Sequence, residues 1–264
     1  ERRLMTLMRG GTTGLQRYSV YPWSTDVSRS WGGLEPQVRI MLNSGLSGLG
    51  YMSHDVGGFA VDQQHPHDPE LYVRWLQLGL FSPVLRTHST HTAEPYKYPE
   101  HQQILKKIIK DRYRWLPYNY TLAYENATKG YPAVRPLNFY GGEAHDSISD
   151  EFLWGRDVLV APVMAQGVTK RSITFPSGST WMDFTNPNKR YQGGETISYD
   201  APLDVLPLFV RAGAFIPLAE YPMENTGDYR SDRFTVHYYP QFGSVSDFSL
   251  YDDDRLSASS LEKG

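Results

Sequence analysis

The 264 residues predict an α/β unit followed by an all-β unit, and three features of the sequence carry that prediction. In the first half, short apolar runs alternate with long amphipathic stretches. Past about residue 137, short alternating runs are separated by Gly, Pro and Asn turns. Polar side chains able to do chemistry, Arg9, Asp26, Asp55, Arg86 and His88, fall at the ends of the apolar runs of the first half. A succession of strand, loop, helix and strand indicates a parallel sheet or a (β/α) barrel, and the strand-rich remainder indicates an all-β appendage.

Arg3 to Arg9 reads as a strand followed by a loop. Gly33 to Leu46 sets Leu34, Val38, Met41 and Leu42 on one helical face at the i, i+4, i+7, i+8 spacing. Gly48 to Ser53 is the next strand candidate and ends at His54-Asp55. Asp68-Pro69 supplies an N-cap and a first-turn proline for a helix through Leu80, after which Phe81 to Leu85 reads as a strand ending at Arg86-Thr87-His88. Pro99 to Lys129 is helical, with Ile104, Leu105, Ile108 and Ile109 on its apolar face and a break or kink at Pro117. In the second half, Asp157 to Pro162, Lys170 to Phe175 and Leu206 to Ile216 read as strands, with turns at Pro176-Ser177-Gly178 and Asn186-Pro187-Asn188. Phe248 to Tyr251 is an apparent last strand.

Bulk properties exclude several classes. A net charge of −3 with no Lys/Arg run offers no electrostatic footprint for nucleic acid or an anionic membrane surface, so a neutral ligand is expected. The absence of cysteine rules out disulfides, thiolate nucleophiles and Cys-ligated metals. No stretch approaches the roughly 20 apolar residues of a membrane span, and the first residues lack the apolar core of a signal peptide, so the start reads as the interior of a longer chain. The compartment stays open: periplasmic, secreted and cytoplasmic placements all fit. The 14% aromatic content suits sugar faces, and equally a large β-rich core, which is the reading composition alone favours.

If the first half belongs to a barrel, its strand ends form one rim. Two carboxylates, two guanidinium groups and an imidazole on that rim make a charged pocket of the kind that handles a sugar. Any one Asp at a strand end is as readily a helix N-cap or half of a salt bridge; five polar groups at consecutive strand ends are harder to assign that way. His65-Pro66-His67-Asp68 with His54 and His88 has the residue types of a metal site, but the intervening proline and the missing second carboxylate cluster favour solvated loop residues. Asp252-Asp253-Asp254 lacks the spaced oxygens of a calcium loop and reads as an exposed turn. Gly141-Gly142 and Gly193-Gly194 read as turns.

The segment Gln16-Arg17-Tyr18, Trp23-Ser24-Thr25-Asp26, Trp31, Ser44-Gly45, Tyr51 and Asp55-Val56-Gly57-Gly58-Phe59 resembles the signature of glycoside hydrolase family 31. So do Arg74 to Gly79, Ser82-Pro83, Arg86-Thr87-His88, Arg135-Pro136-Leu137, Asp157 to Val163 and Pro207 to Gly213, in family order and over essentially the whole chain. The resemblance implies the second half of a (β/α)8 barrel from its fifth strand onward, residues 1–136, then a proximal β-sandwich, 137–217, and the opening of a distal one, 218–264. It implies a retaining exo-acting α-glucosidase that needs no cofactor, acting on an α-glucoside or maltooligosaccharide. Asp26 matches the general acid/base. Arg9, Asp55 and His88 match residues that hold sugar hydroxyls, Arg86 an arginine beside them that orients the carboxylates, and Phe59 a ring lining the same pocket. Trp23 fits both an apolar wall for the acid and plain core packing.

The sequence departs from the family in named places. Members commonly carry Gly before the acid/base and Asn after it, where this chain has Thr25 and Val27, and the segment between Arg17 and Asp26 is slightly longer than in animal members. The family nucleophile lies in a Trp-x-Asp-Met-Asn-Glu-like motif that does not occur in these residues; it is expected on polypeptide upstream of Glu1, and this stretch by itself is expected to be inactive. The block Pro22 to Val38 resembles bacterial members that transfer glucosyl units between α-1,4-glucans, so transglucosylation competes with hydrolysis as the expected outcome. A carbohydrate-binding protein without catalysis is the reading from another class. Joint retention of Arg9, Asp26, Asp55 and His88 argues against it.

Overall fold

A computed structural model describes residues 2–61, 67–91, 93–142, 145–220 and 222–263. The first half alternates strand and helix: β1 (Thr6–Arg9), β2 (Val20–Trp23), β3 (Ser28–Arg29), α1 (Trp31–Leu34), α2 (Gln37–Leu46), β4 (Ser53–Val56), β5 (Ala60–Val61), α3 (Pro69–Leu80) and β6 (Val84–Thr87). Strands β1, β2, β4 and β6 form a parallel sheet in that spatial order, the singly wound succession of a partial barrel. β3 and β5 make a separate two-stranded parallel ribbon over the strand ends. Helices α4 (Gln102–Arg114) and α5 (Leu116–Lys129) close this half.

The second half contains β7 (Val134–Arg135), α6 (Asn138–Gly141), β8 (Phe152–Trp154), β9 (Val158–Val160), β10 (Lys170–Thr174), β11 (Thr180–Asp183), β12 (Arg190–Gln192), β13 (Thr196–Asp200), β14 (Leu208–Arg211), β15 (Phe215–Ala219), β16 (Phe234–Tyr238) and α7 (Ser260–Lys263). Six strands form an antiparallel sheet in the order β12-β11-β14-β9-β8-β7, and β10 pairs with β13. Period-two alternation decides which way each residue of the large sheet points. Val158, Val160, Phe152, Trp154, Met182 and Val210 face the core shared with the helices, whereas Leu159, Leu153, Trp181 and Phe209 face a second core with Ile173 and Phe175 of the β10 segment. Both faces are covered, so the sheet reads as nearly continuous apolar runs.

The halves are joined by α3. Asp68 caps it by accepting from the Leu71 N–H at 2.9 Å, with Pro69 in the first turn. Buried Arg74 donates to the carbonyls of Ala201 (2.7 Å), Val205 (3.1 Å), Pro202 (3.3 Å) and Val168 (3.3 Å), and Gln77 donates to Leu203 O at 2.7 Å. Arg74 to Gly79 is therefore a structural clasp on loop 201–205. Trp75 Nε1 donates to His54 Nδ1 at 3.0 Å, which leaves His54 Nε2 to donate to Ser82 Oγ at 2.8 Å. Burial, with the Arg86 charge second, pushes the His54 imidazole down to about 3, so it stays neutral.

Several expected boundaries move. The single helix over 33–46 is two, because the chain turns at Glu35-Pro36. The strand expected over Gly48–Ser53 begins only at Ser53. The residues before it complete the end of α2, with Gly48 at φ +86° and Leu49 N–H donating to Ser44 O. Likewise Phe81 and Ser82 still bond back to Leu78 and Gly79, so β6 starts at Val84. The long helix over 99–129 breaks at Trp115, which puts Pro117 in the first turn of α5, where a missing N–H is tolerated. The strand expected over 206–216 is split into β14 and β15 at Gly213, φ +88°.

Phe248–Tyr251 is not a strand. Its rings pack on α5 instead, Phe248 against Tyr118 and Tyr251 against Tyr124 at 4.1 Å between centroids. Of the run expected to be exposed, Asp252 and Asp254 are exposed and Asp253 is half-buried; Asp253 accepts from Arg3, Tyr120 and Tyr251, and Asp254 accepts from the backbone N–H groups of Leu256 and Ser257. Among the described residues, no helix is long and apolar enough to cross a membrane.

Candidate active site

The ends of β1, β2, β4 and β6 lie side by side, because the parallel register pairs Arg9 with Trp23, Trp23 with Ser53, and Asp55 with Arg86. Past β2 the chain makes a tight turn stitched on both sides. Ser24 N–H donates to Ser53 O at 3.0 Å, Val27 N–H to Thr25 O at 2.8 Å, and Val27 O accepts from the N–H groups of Phe59 (2.9 Å) and Ala60 (3.0 Å). Asp26 stands at the apex. Among the described residues it caps no helix: Ser30 caps α1 by accepting from Gly33 N. Thr25 holds φ +67°, the left-handed region that β-branched residues rarely enter.

Arg9 Nη2 donates to both carboxylate oxygens of Asp26, at 2.9 and 3.0 Å, in an arrangement open to solvent. Asp55 is fully buried and is paired with Arg86 through Oδ1. Burial pushes its carboxyl above the ordinary carboxylate range; the Arg86 and His88 charges pull it back, Asp26 adds to the rise and Arg9 opposes it. The Trp23 ring lies beside both guanidinium groups, with Arg9 Cζ 5.6 Å and Arg86 Cζ 5.5 Å from the ring centroid. Phe59 and His88 pack ring on ring at 5.0 Å.

Gly57 and Gly58 steer the chain from Asp55 to Phe59. Both are left-handed, at φ +89° and +83°, and a Cβ on Gly58 would lie 2.3 Å from Arg29 Cα. Buried Arg29 donates to Ser89 Oγ at 2.7 Å, and Ser89 Oγ donates to Phe59 O at 2.9 Å, which fixes Phe59 next to His88. These supporting residues received no role from the sequence. The paired glycines carried a visible signal; Arg29 and Ser89, which meet only in space, carried none.

All seven residues singled out from the sequence, Arg9, Trp23, Asp26, Asp55, Phe59, Arg86 and His88, lie along this one set of strand ends. Trp23 Nε1, Ser24 Oγ, Asp55 Oδ2 and Arg86 Nε are buried without a hydrogen-bond partner among the described residues. Each such atom costs about 1–3 kcal/mol while it stays unpaired. An exposed carboxylate beside a buried one can divide labour: one exchanges protons at the rim, the other accepts fixed hydrogen bonds inside.

Among the described residues no group of three or more His, Asp or Glu side chains is placed to hold a metal ion. His65 and Pro66 lie outside the described residues. His67 pairs with Glu100 at 2.8 Å and stacks on Tyr98, and His54 is spent inside the core.

Residues 1–122 match the model of the glycosyl hydrolases family 31 TIM-barrel domain, and residues 130–216 that of the family 31 C-terminal domain. The chain is 36% identical over its whole length to alpha-glucosidase 2 of Bacillus thermoamyloliquefaciens, covering 33% of that protein. It is 35% identical, again over its whole length, to the alpha-xylosidase of Saccharolobus solfataricus, covering 36% of it. The solved family 31 dextranase of Flavobacterium johnsoniae, complexed with glucose, superposes with a TM-score of 0.92 at 31% identity, over 99% of this chain and 34% of that one. The chain thus spans about a third of the length of the curated relatives it matches.

Proposed function

The chain belongs to glycoside hydrolase family 31, and from that premise we propose that it is the acid/base-bearing part of a retaining, exo-acting α-glucosidase. On this reading residues 1–136 supply the second half of the catalytic barrel, 137–217 a proximal β-sandwich and 218–264 the start of a distal one. The observation that carries the reading is the placement of Asp26. It is held open to solvent by Arg9 on the rim that also carries buried Asp55.

In this account Asp26 protonates the glycosidic oxygen as the bond breaks. A nucleophilic carboxylate from polypeptide upstream of Glu1 takes the anomeric carbon, and Asp26 then removes a proton from the incoming water. Asp55, Arg9 and His88 bind hydroxyls of the sugar. A sugar of the wrong configuration cannot pair with these groups together, and that penalty supports selection of one stereochemistry. Phe59 and Trp23 wall the pocket.

Transfer to a sugar hydroxyl uses the same acid/base, and the resemblance of Pro22 to Val38 to transglucosylases supports it as the second reading. Glucose and maltose from maltotriose, with no longer products, favour hydrolysis, and longer oligosaccharides favour transfer. The acid/base role is tested with Asp26→Ala in the full-length protein. Turnover of maltose collapses while the first step on activated aryl glucosides survives, because a good leaving group needs no proton. Unchanged kinetics on both substrates rules the role out.

A further inference from the structure

A continuous run of contacts crosses the candidate site: Asp26 to Arg9, Arg9 to the Trp23 ring, the same ring to Arg86, and Arg86 to Asp55. Two guanidinium groups beside one ring carry the same charge and repel. An indole ring offsets that repulsion, since its negative faces attract a cation placed within about 6 Å of the centroid. The edge of Trp23 does no comparable anchoring: its Nε1–H is buried and has no partner among the described residues. The backbone around it is fixed, with Trp23 paired to Arg9 in one register and to Ser53 in the other.

We propose that Trp23 is a positioning residue, a hub that holds Arg9 and Arg86 and through them sets the relative placement of the rim carboxylate Asp26 and the buried carboxylate Asp55. This rests on the glycosidase reading and goes beyond Trp23 as a wall of the pocket. A wall contributes by touching sugar. A hub contributes by keeping two ion pairs apart and aimed, so its loss moves the acid away from the glycosidic oxygen, and small displacements there are costly.

The two roles separate in a cycle of Trp23→Leu, Arg9→Met and the double variant, made in the full-length protein and assayed on maltose and an aryl α-glucoside. With Trp23 as hub, Trp23→Leu lowers kcat on maltose by about 10- to 100-fold with little change in KM, the scale of two cation–π contacts. The double variant is then scarcely worse than the poorer single one, because both remove the same link. A raised KM with kcat intact, and losses that multiply in the double variant, overturn the proposal in favour of a sugar-stacking wall. Should Trp23→Leu fail to fold, Trp23→Phe keeps a weaker ring of the same character; it gives a smaller coupling of the same sign, and independent effects overturn the hub there too. Asp26→Ala in the same background is the control on the underlying reading. If it leaves maltose turnover unchanged, the acid/base assignment fails. If it abolishes turnover while the cycle is multiplicative, only the hub fails.

Discussion

Arg86 and Asp55 form an ion pair in which the carboxylate side is fully buried while the guanidinium side keeps 26% of its surface exposed. The cation reaches in from the rim, and the anion depends on it. Removing one partner of a buried pair leaves a charge without compensation, which costs far more than the intact pair contributes.

Arg86→Met is therefore expected to lower stability by about 3–5 kcal/mol near neutral pH. The sign of the pH dependence follows from burial, which already raises the Asp55 carboxyl. A raised folded-state value means that the fold takes up the proton preferentially, so stability falls as pH climbs from the ordinary carboxylate value through the raised one. Without Arg86 that rise grows. Urea melts at pH 4 and pH 8 should show the variant's deficit small at pH 4 and large at pH 8; equal deficits would contradict the account.

Glu151 offers a second pH dependence, away from the site. The residue is 3% exposed, and its carboxylate accepts from Thr174 N–H at 3.2 and 3.3 Å and sits 3.7 Å from Arg171. Burial pushes it from the ordinary 4.5 up to about 7, against the pull of Arg171 and the Thr174 N–H. Stability should then decline between pH 4.5 and pH 7, by up to about 3 kcal/mol from this group. Glu151→Gln should flatten that segment of the stability profile and make the protein more stable than the parent at pH 8, as read by thermal melts.

Gly58 and Gly178 share a φ of +83° but differ in surroundings. Around Gly178 there is open space, so Gly178→Ala should cost only about 1–2 kcal/mol, the usual penalty of the left-handed region. At Gly58 the new Cβ would meet Arg29 backbone at 2.3 and 2.7 Å, which cannot yield cheaply. Gly58→Ala should fold poorly or lose several-fold more stability than Gly178→Ala in the same denaturant titration.

Thr25 carries left-handed strain one residue before Asp26, at φ +67°. Thr25→Gly relieves about 1–2 kcal/mol of that strain, and the greater freedom of glycine in the unfolded chain gives back about 0.4–1 kcal/mol. A net gain of about 0.5–1 kcal/mol in unfolding free energy is expected. A loss of stability would show that the Thr25 side chain makes contacts outweighing its strain.

The rim was legible in the sequence because its chemistry sits at strand ends, where a charged side chain after an apolar run is conspicuous: Arg9, Asp26, Asp55 and Arg86 each stand in that position. Strand register was less legible. Leu49 and Phe81 look like strand residues but lie in the closing turns of α2 and α3, since apolarity marks burial before it marks conformation. Arg74 and Gln77 stand in a helix read from its cap and first-turn proline, and their partners include backbone carbonyls of loop 201–205, which no local pattern announces. The strain at Thr25 is a dihedral angle and leaves no compositional trace beyond the replaced glycine.

The central claim, that Asp26 is the acid/base of a retaining glycosidase, is tested most directly by chemical rescue of Asp26→Ala in the full-length protein with azide on an activated aryl α-glucoside. Azide needs no general base, so it should restore turnover by attacking the glycosyl-enzyme, and two successive inversions at the anomeric carbon should give α-glucosyl azide by NMR. No rescue, or a β-glucosyl azide, would contradict the account.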